Sequence, residues 1–324
     1  MKCLVTGGAG FIGSNLVDQL VKLGHQVIVL DNLSTGRFSN LNKVKNKIKF
    51  VHVDVSKNKN SFSKYFYKVD WVFHLAGLAD IIPSIKNPEP FFKTNVGGTK
   101  NVLEISQKFK IKKLIYAASA SCYGIPSKYP TNEKSKIDPQ NPYAVTKYLG
   151  EQLALNWHKL YKLPTVSLRF FNAYGPRSRK RGAYNSVIGI FLTQKILGKP
   201  FTVIGNGKQT RDFIYISDLV DAVIKAAQKG KTGEIYNVGY GKEISINKIA
   251  KIIGNKKIFL KKRPGEPKRS LADIRKIKKH FDWKPKVKID EGLKNLIKDI
   301  KIWKRANLWT AKKIETATKI LYKK

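Results

Sequence analysis

The sequence predicts an α/β fold built on a doubly wound parallel sheet, with a smaller C-terminal α/β lobe. Short, almost continuously apolar runs alternate with stretches of helical periodicity through the first 120 residues. A glycine-rich turn joins the first apolar run to the first helical stretch. After about residue 175 the pattern changes to shorter elements and to loops rich in glycine and arginine. Such alternation is typical of βαβ units, in which helices cover both faces of a parallel sheet.

Five buried strands are predicted in the first 120 residues. Each is apolar on both faces, as expected where helices cover the two sides of a sheet, and they span Lys2–Thr6, Gln26–Leu30, Ile48–Val53, Trp71–Leu75 and Lys113–Ala117. Helical periodicity and a further apolar run then predict helices over Phe11–Leu23, Pro88–Phe109 and Asn141–Leu160 and a strand over Thr165–Arg169.

Composition restricts the class of protein. Cys3 and Cys122 cannot form a disulfide framework. Met1–Thr6 runs directly into a glycine turn, and no apolar run reaches the roughly 18 residues that span a membrane, so we expect a cytoplasmic protein without membrane contact. The formal net charge is +41, but only 10 of the 63 basic residues are arginine, which base readout and phosphate clamps favour. We therefore expect no specific nucleic-acid partner, with nonspecific polyanion binding at low salt as the alternative.

The first predicted strand leads directly into the glycine-rich turn Thr6–Gly13. Gly7, Gly10 and Gly13 have separate tasks, which are the tight turn, the close approach of backbone to a pyrophosphate, and the packing of helix on strand. The helix that follows offers free N–H groups and the positive end of its dipole to an anion. Taken alone, the triplet is equally typical of an ordinary strand-to-helix turn.

Two acids at the ends of later strands strengthen this interpretation. Asp31 ends the second strand 18 residues after Gly13, close to the spacing at which a carboxylate meets the adenosine ribose hydroxyls. A carboxylate there would repel the 2′-phosphate of NADP. Asp54 and Val55 end the third strand, where an adenine would lie. The pattern predicts NAD as the cofactor.

Tyr143 and Lys147 share one face of a predicted helix, since they are four residues apart. An ammonium about 6 Å away, at an effective dielectric of about 20, would bring the pKa of a phenol from about 10 to about 8. The pair could then act as a general base beside an oxidised nicotinamide. Ser119 follows the fifth strand, where strand ends face the cofactor crevice, and could bond a sugar hydroxyl. Each of these patterns alone also suits a purely structural role.

Together these residues resemble the extended short-chain dehydrogenase/reductase family, in particular its nucleotide-sugar epimerases and dehydratases. The resemblance covers about residues 1–300. Besides the residues above it depends on Asp31–Gly36, which looks like the ribose loop of UDP-glucose 4-epimerases, and on His74–Gly77, Asn95, Leu168–Asn172, Gly205–Phe213 and Arg263–Glu266.

The resemblance implies a division into an NAD-binding Rossmann domain over 1–174, to which some later segments cross back, a nucleotide-sugar-binding lobe over 175–300 and a basic helical tail over 301–324. Ser119, Tyr143 and Lys147 would form the catalytic triad. The residues that would bind NAD are Gly7, Gly10, Phe11, Ile12, Gly13, Asp31, Asn32, Ser34, Thr35, Gly36, Asp54, Val55, Leu75, Ala76, Gly77, Asn95, Tyr143, Lys147 and Phe170.

The same resemblance assigns substrate contacts in the second half of the chain. Arg211 and Arg263 would grip the diphosphate, because forked guanidinium donors fit phosphate. Without the family, both would be interpreted as solvated surface charges. The full implied set is Ser119, Asn172, Val187, Thr202, Ile204, Arg211, Arg263 and Glu266, with no metal site.

The residues after Ser119 indicate the reaction. In the family's sugar 4,6-dehydratases an Asp-Glu pair occupies the next two positions, and the decarboxylases carry a glutamate there. Here these positions are Ala120 and Ser121, which are not acids. The resemblance therefore favours epimerisation at C4: oxidation to a 4-keto sugar, rotation, and return of hydride to the other face.

Two further residues bear on which sugar the protein accepts. Asp80 is an unusual acid near the expected sugar site, where it either caps a loop or tunes the choice of substrate. Ser270 resembles the gate position that limits the C2 substituent, and its small size predicts tolerance of N-acetylhexosamines.

Other activities stay open at this stage. The alternatives within the family are a UDP-glucuronate or UDP-N-acetylhexosamine 4-epimerase, a 3,5-epimerase, a dehydratase and a reductase. A non-catalytic NAD- or RNA-binding protein is the alternative from another class. By resemblance we expect a homodimer, formed through the helices Pro88–Phe109 and Asn141–Leu160.

Overall fold

Seven parallel strands form the main sheet in the computed structural model, which describes residues 1–179 and 186–322. The strands of the chain are β1 Lys2–Thr6, β2 Gln26–Asp31, β3 Ile48–His52, β4 Trp71–His74, β5 Lys113–Ser119, β6 Thr165–Phe170, β7 Asn172–Tyr174, β8 Phe201–Ile204, β9 Thr210–Tyr215, β10 Glu234–Val238, β11 Glu243–Ser245 and β12 Lys257–Leu260. The order in the main sheet is β3-β2-β1-β4-β5-β6-β10. This confirms the predicted doubly wound parallel sheet.

Helices cover both faces of this sheet. The helices of the described residues, including those of the smaller lobe, are α1 Phe11–Lys22, α2 Asn60–Ser63, α3 Ile81–Lys86, α4 Glu89–Phe91, α5 Thr99–Lys108, α6 Pro142–Tyr161, α7 Val187–Ile196, α8 Ile216–Lys229, α9 Ile246–Ile253, α10 Arg275–Phe281, α11 Ile289–Lys298 and α12 Ala311–Thr318. One apolar cluster includes the buried faces of α1 and α8, and a second includes those of α5 and α6. Within the described residues, no helix combines the length and apolar character needed to cross a membrane.

The chain reverses its direction of travel across the sheet between β1 and β4. These strands are neighbours and pair in parallel, with Thr6 opposite His74. The loops that leave their carboxyl ends therefore start side by side. A crevice at such a switch point is where open α/β sheets bind ligands, so the topology alone predicts the position of the site.

The predicted helix Pro88–Phe109 is interrupted. A π-helical segment, Phe92–Gly98, separates α4 from α5. Asn95 lies in this wider turn, buried, and its side-chain amide bonds Leu78 and Thr146 on other elements. These long-range bonds accompany the departure from the regular helix that the sequence pattern predicts.

The second half of the chain builds the smaller lobe. Strands β11, β9 and β7 form one small sheet, and β12 and β8 form another. Two segments return to the large sheet, since β10 pairs with β6 and α8 contacts α1. Of the predicted Gly- and Arg-rich loop Tyr174–Gly182, residues 180–182 lie outside the described residues.

The last segment is helical and basic but packs into the lobe. It contains α12 and two short 3-10 helices, Ile300–Trp303 and Lys319–Tyr322. Trp303 is only 1% exposed, and Trp309 and Ile314 are buried as well. The three domain boundaries stay a prediction, but the part of residues 301–324 that is described contributes apolar side chains to the core.

Candidate active site

A cleft of about 520 Å³ lies at the carboxyl ends of the central strands. Loops after β1, β2 and β4 form its walls together with the start of α6. All predicted NAD-binding residues except Gly36 and Asn95 line this cleft. Residues that are scattered over 164 positions of the sequence, from Gly7 to Phe170, are thus brought to one cavity.

The glycine turn leaves no room for side chains. A Cβ at Gly7, which has a φ of +70°, would lie 2.7 Å from the backbone nitrogen of Ala76. A Cβ at Gly13 would lie 2.1 Å from the carbonyl oxygen of Gly7. The turn therefore packs directly on the loop after β4, and α1 begins at Phe11 against the cleft. This close backbone approach fits a pyrophosphate held at a helix N-terminus.

Asp31 is held in a fixed position at the edge of the cleft. Its carboxylate accepts hydrogen bonds from Ala9 N at 2.9 Å and Leu33 N at 2.7 Å. Burial raises the pKa of Asp31, although these two bonds oppose the rise. A carboxylate has acceptor capacity for about four bonds, so Asp31 keeps acceptor positions for ribose hydroxyls. The residues present thus fit NAD.

Gly36 and Asn95 lie behind the cleft wall. A Cβ at Gly36 would lie 2.8 Å from the carbonyl carbon of Ala9, so this glycine lets the ribose loop pack on the glycine turn. Asn95 Oδ1 accepts from Leu78 N at 2.8 Å, and its Nδ2 donates to Leu78 O at 3.0 Å. Asn95 therefore holds the loop after β4 in place, and contact with the cofactor stays a prediction for both residues.

Two of the three predicted catalytic residues, Tyr143 and Lys147, line the cleft, and the third, Ser119, is hydrogen-bonded to Tyr143. Asn141 caps α6 by accepting from Ala144 N at 3.0 Å, so Tyr143 lies in the first turn of the helix. The Tyr143 hydroxyl donates to Ser119 Oγ at 3.1 Å. Ser119 Oγ also accepts from Ser121 N at 3.2 Å and from Ser121 Oγ at 2.9 Å. Lys147 Nζ lies 4.5 Å from the centre of the Tyr116 ring.

The pKa shifts of Tyr143 and Lys147 differ from those that the sequence predicted. Burial raises the pKa of Tyr143, hydrogen bonds with Ser119 and Ser121 oppose the rise, and the charge of Asp80 adds to it. Burial also lowers the pKa of Lys147 to about 8, against the raising effect of Glu151. The expected lowering of the phenol pKa by Lys147 alone is therefore wrong for the protein without cofactor. Desolvation outweighs one neighbouring ammonium in this buried site.

The predicted substrate residues separate into two groups. Arg263 and Glu266 line a second cavity of about 740 Å³, and Glu266 accepts from Arg211 Nη2 at 2.8 Å. Five cationic side chains line this cavity, which suits a diphosphate: Lys261, Lys262, Arg263, Lys268 and Arg269.

The remaining predicted substrate residues do not line either cavity. Thr202 is 5% exposed, and its hydroxyl accepts from Gln194 Nε2 at 2.8 Å. Asn172 donates to Asp212 O at 3.2 Å. Val187, Ile204 and Ser270 also lie outside both cavities, and their roles stay predictions. Ser119 and Arg211 are not lining residues either, but each bonds one, Tyr143 and Glu266 respectively.

Several residues that line the main cleft carry no recognisable motif in the sequence and were not predicted. Asp80, for which the sequence allowed either loop capping or a role in the choice of substrate, forms an ion pair with Arg179 in this cleft. Arg177 also lines the cleft, and it donates to Ser14 O at 2.9 Å and to Asp18 at 2.6 Å. The other missed lining residues are Leu30, Arg37, Asn40, Val53, Leu78, Ala79, Thr94, Ala117, Ala118, Ala173, Pro176, Ser178, Ser186 and Ile302. Their shared signal is position, since most of them lie at or just beyond the end of a strand.

Comparison with known proteins agrees with this architecture. A model of the NAD dependent epimerase/dehydratase family matches residues 3–239. A putative UDP-glucose 4-epimerase of Methanocaldococcus jannaschii is 37% identical over 302 residues, which are 91% of this chain and 96% of that protein. Relatives of similar identity include a decarboxylase besides epimerases.

Solved structures give the same result. The UDP-glucose 4-epimerase of Thermotoga maritima with UDP-glucose has a TM-score of 0.87 at 34% identity, over 93% of this chain and 99% of that chain. The UDP-glucuronic acid 4-epimerase of Bacillus cereus, in complex with UDP-glucuronic acid and NAD, has a TM-score of 0.85 at 34% identity, with the same coverage. The chain is therefore a member of the NAD-dependent epimerase/dehydratase family of nucleotide-sugar enzymes, within the extended short-chain dehydrogenases/reductases, and its cofactor is NAD.

Proposed function

We propose that this enzyme is a nucleotide-sugar 4-epimerase of the UDP-glucose/UDP-galactose type. The proposal depends on one observation: Tyr143 lines the same cleft as the glycine turn, and its hydroxyl is hydrogen-bonded to Ser119 at 3.1 Å. When bound, NAD accepts and returns a hydride at C4 of the sugar and adds positive charge that favours a phenolate. Side chains of the protein accept and return the proton of the sugar's 4-hydroxyl.

Tyr143 takes the proton of the sugar's 4-hydroxyl and gives it back after rotation. Ser121 supports this step, because its backbone N–H and its hydroxyl both donate to Ser119 Oγ. With its acceptor positions filled, the Ser119 hydroxyl can donate its own proton to ionised Tyr143 or to the sugar oxygen. Lys147, whose pKa is lowered to about 8 by burial, is still mostly protonated at pH 7 and stabilises the phenolate.

The positions after Ser119 favour epimerisation over elimination or decarboxylation. The Ala120 side chain has no group that can donate or accept a proton, and the Ser121 hydroxyl donates its hydrogen bond to Ser119 Oγ. Elimination needs a proton donor and a base besides Tyr143. The acid that also lines the cleft near Tyr143, Asp80, is paired with Arg179.

Rotation requires that the sugar move while the rest of the substrate is held. We place the diphosphate between Arg211 and Arg263, where Glu266 orients the Arg211 guanidinium at 2.8 Å. The sugar would then reach into the main cleft, and the keto-sugar would turn about its phosphate link without leaving the protein.

The product tests this proposal. The purified enzyme is incubated separately with UDP-glucose, UDP-galactose, UDP-glucuronate, UDP-N-acetylglucosamine and dTDP-glucose, and C4 epimers are resolved by proton NMR. We expect UDP-glucose and UDP-galactose to interconvert without added NAD. A 4-keto-6-deoxy product, or no interconversion of UDP-glucose and UDP-galactose, would contradict the proposal.

We also propose that two copies associate through α6 and the segment that contains α5. Large apolar side chains on these elements are exposed, among them Phe92 at 38%, Leu149 at 37% and Leu160 at 64%. Packing two such helices against their symmetry mates would cover them in a four-helix bundle. Light scattering should give the mass of a dimer, twice 36.7 kDa, and a monomeric mass would refute this.

A further inference from the structure

Asp80 and Arg179 form an ion pair between two different walls of the main cleft. Asp80 follows β4 and starts α3, whereas Arg179 follows β7, 99 residues further along the chain. Both side chains line the cavity that Tyr143 and Lys147 also line. They are partly buried, with 20% of the Asp80 side chain and 35% of the Arg179 side chain exposed. The pair therefore belongs to the catalytic end of the cleft.

The backbone around Asp80 is fixed relative to the catalytic tyrosine. Asp80 O accepts from Ser84 N at 3.2 Å, and Ser84 Oγ accepts from Tyr143 N at 3.1 Å. Two residues before Asp80, Leu78 is held through its N–H and its carbonyl by Asn95. Asp80 is thus tied to α6 from one side and to the π-helical segment from the other.

The charge of Asp80 reaches the reacting groups. Asp80 and Tyr143 line the same cavity, and the Asp80 charge adds to the raised pKa of the Tyr143 phenol. On the opposite wall, the loop of Arg179 is anchored by Arg177, which donates to Ser14 O and Asp18 on α1. Neither partner is positioned by the other alone.

The pair gives the sugar end of the cleft a defined charge. An isolated arginine there would attract a carboxylate on the sugar, since guanidinium and carboxylate form bidentate bonds. Here Asp80 already occupies Arg179, so an anionic sugar must either displace Asp80 or lie near its negative charge. A neutral hexose carries no such cost.

We propose that Asp80, through its pairing with Arg179, is a specificity determinant that favours neutral nucleotide-hexoses over nucleotide-hexuronates. The inference rests on the proposed epimerase function and adds to it the residues that set the preference for a neutral sugar. Asp80 acts by charge at the sugar site and takes no part in proton transfer.

Two variants of the pair with opposite expected effects test this. The measured quantity is the ratio of kcat/KM for UDP-glucuronate to kcat/KM for UDP-glucose, which cancels changes in Tyr143 that affect both substrates. Asp80→Asn removes the carboxylate that pairs with Arg179, and with it the negative charge at the sugar site, so we expect it to raise the ratio by about tenfold or more. Arg179→Gln leaves Asp80 without its cation, and we expect the ratio to fall below that of the parent.

The matched control is Asp18→Asn. It removes the partner of Arg177, two residues from Arg179, but Asp18 does not line the cleft. Asp80 and Arg179 keep their pairing in this variant, and Arg177 keeps its bond to Ser14 O, so the ratio should change far less than in Asp80→Asn. Bound NAD per subunit, measured for all four proteins, shows that each has folded.

The outcomes separate this inference from the proposed function. An unchanged ratio in Asp80→Asn, a shift of the same size in Asp18→Asn, or a parent enzyme that prefers UDP-glucuronate would overturn the role of Asp80 while epimerisation stands. A parent that epimerises neither sugar would instead overturn the proposed function.

Discussion

At the scale of single residues, the site depends on how burial changes familiar groups. The sequence identified Ser119, Tyr143 and Lys147, and the structure places Tyr143 and Lys147 in one cleft, with Ser119 bonded to Tyr143. The sequence could not show that desolvation would raise the pKa of the phenol, because burial is set by elements far along the chain. Nor could it show Ser121 donating to Ser119. We infer that Tyr143 becomes an effective base only with cofactor and substrate in place.

His74, which has no proposed role in catalysis, provides a test of how burial changes a pKa. Its ring nitrogens face Thr6 Oγ1 at 2.7 Å and Thr99 Oγ1 at 2.9 Å, and burial, helped by the charge of Lys147, lowers its pKa to about 3. The unfolded pKa is about 6.5. Since the folded pKa is depressed, this contribution to stability is present above about pH 6.5 and is lost as the pH falls toward 3.

We expect His74→Gln to lack this pH dependence. Between pH 7 and pH 5 the unfolding free energy of the parent should fall by about 2 kcal/mol more than that of the variant. Urea unfolding at several pH values measures both slopes, and other titrating groups cancel in the difference. Parallel slopes for the two proteins would show that the pKa of His74 is the same in the folded and unfolded states.

At the scale of elements, local sequence determines the first βαβ unit, whereas long-range contacts determine its surroundings. The glycine turn is contiguous in sequence with the strand before it and the helix after it. The sequence pattern alone therefore predicts β1 with the same bounds that the structure shows. The predicted helix Pro88–Phe109 contains the π-helical segment instead, where Asn95 bonds to Leu78 and Thr146. Apolar periodicity carries no information on such bonds.

Gly13→Ala should break the packing of α1 on the glycine turn. The new methyl group would lie 2.1 Å from Gly7 O and 2.8 Å from Gly8 Cα, which are backbone atoms that cannot move aside. We expect a loss of stability of about 1–3 kcal/mol and a clear loss of bound NAD. Thermal unfolding and the NAD content of the purified protein measure the two effects.

Gly97→Ala is the matched control for this substitution. Gly97 is also helical, but a Cβ there meets nothing within 4 Å. Its stability should equal or exceed that of the parent, because alanine favours helix over glycine. If both variants kept full NAD, the turn would have more freedom than its contacts imply.

At the scale of the whole molecule, the main sheet was predictable and the pairing between distant segments was not. Strand order follows from alternating elements and right-handed connections. The ion pair of Asp80 with Arg179, 99 residues apart, and the bond from Gln194 Nε2 to Trp309 O, 115 residues apart, appear only when distant segments are assembled. Sequence analysis described residues 301–324 as a tail, whereas in the structure Trp303 packs near Gly189 of α7.

Trp303→Ala tests whether this last segment stabilises the lobe. Because the side chain is 1% exposed, we expect a loss of about 3–5 kcal/mol in unfolding free energy. Its neighbour Ile302 is 44% exposed, and Ile302→Ala should change stability by less than about 0.5 kcal/mol. Equal effects of the two substitutions in chemical denaturation would mean that the segment does not contribute to the core.

The central claim is that the phenol of Tyr143 exchanges a proton with the sugar beside a bound nicotinamide. The most direct test is Tyr143→Phe, assayed for interconversion of UDP-glucose and UDP-galactose and for NAD per subunit. The lost hydroxyl lies 3.1 Å from Ser119, while the glycine turn is untouched. We expect kcat to fall at least about 10³-fold with NAD content unchanged. A variant that retains the parent's turnover with NAD bound would contradict the account, because the base would then lie elsewhere.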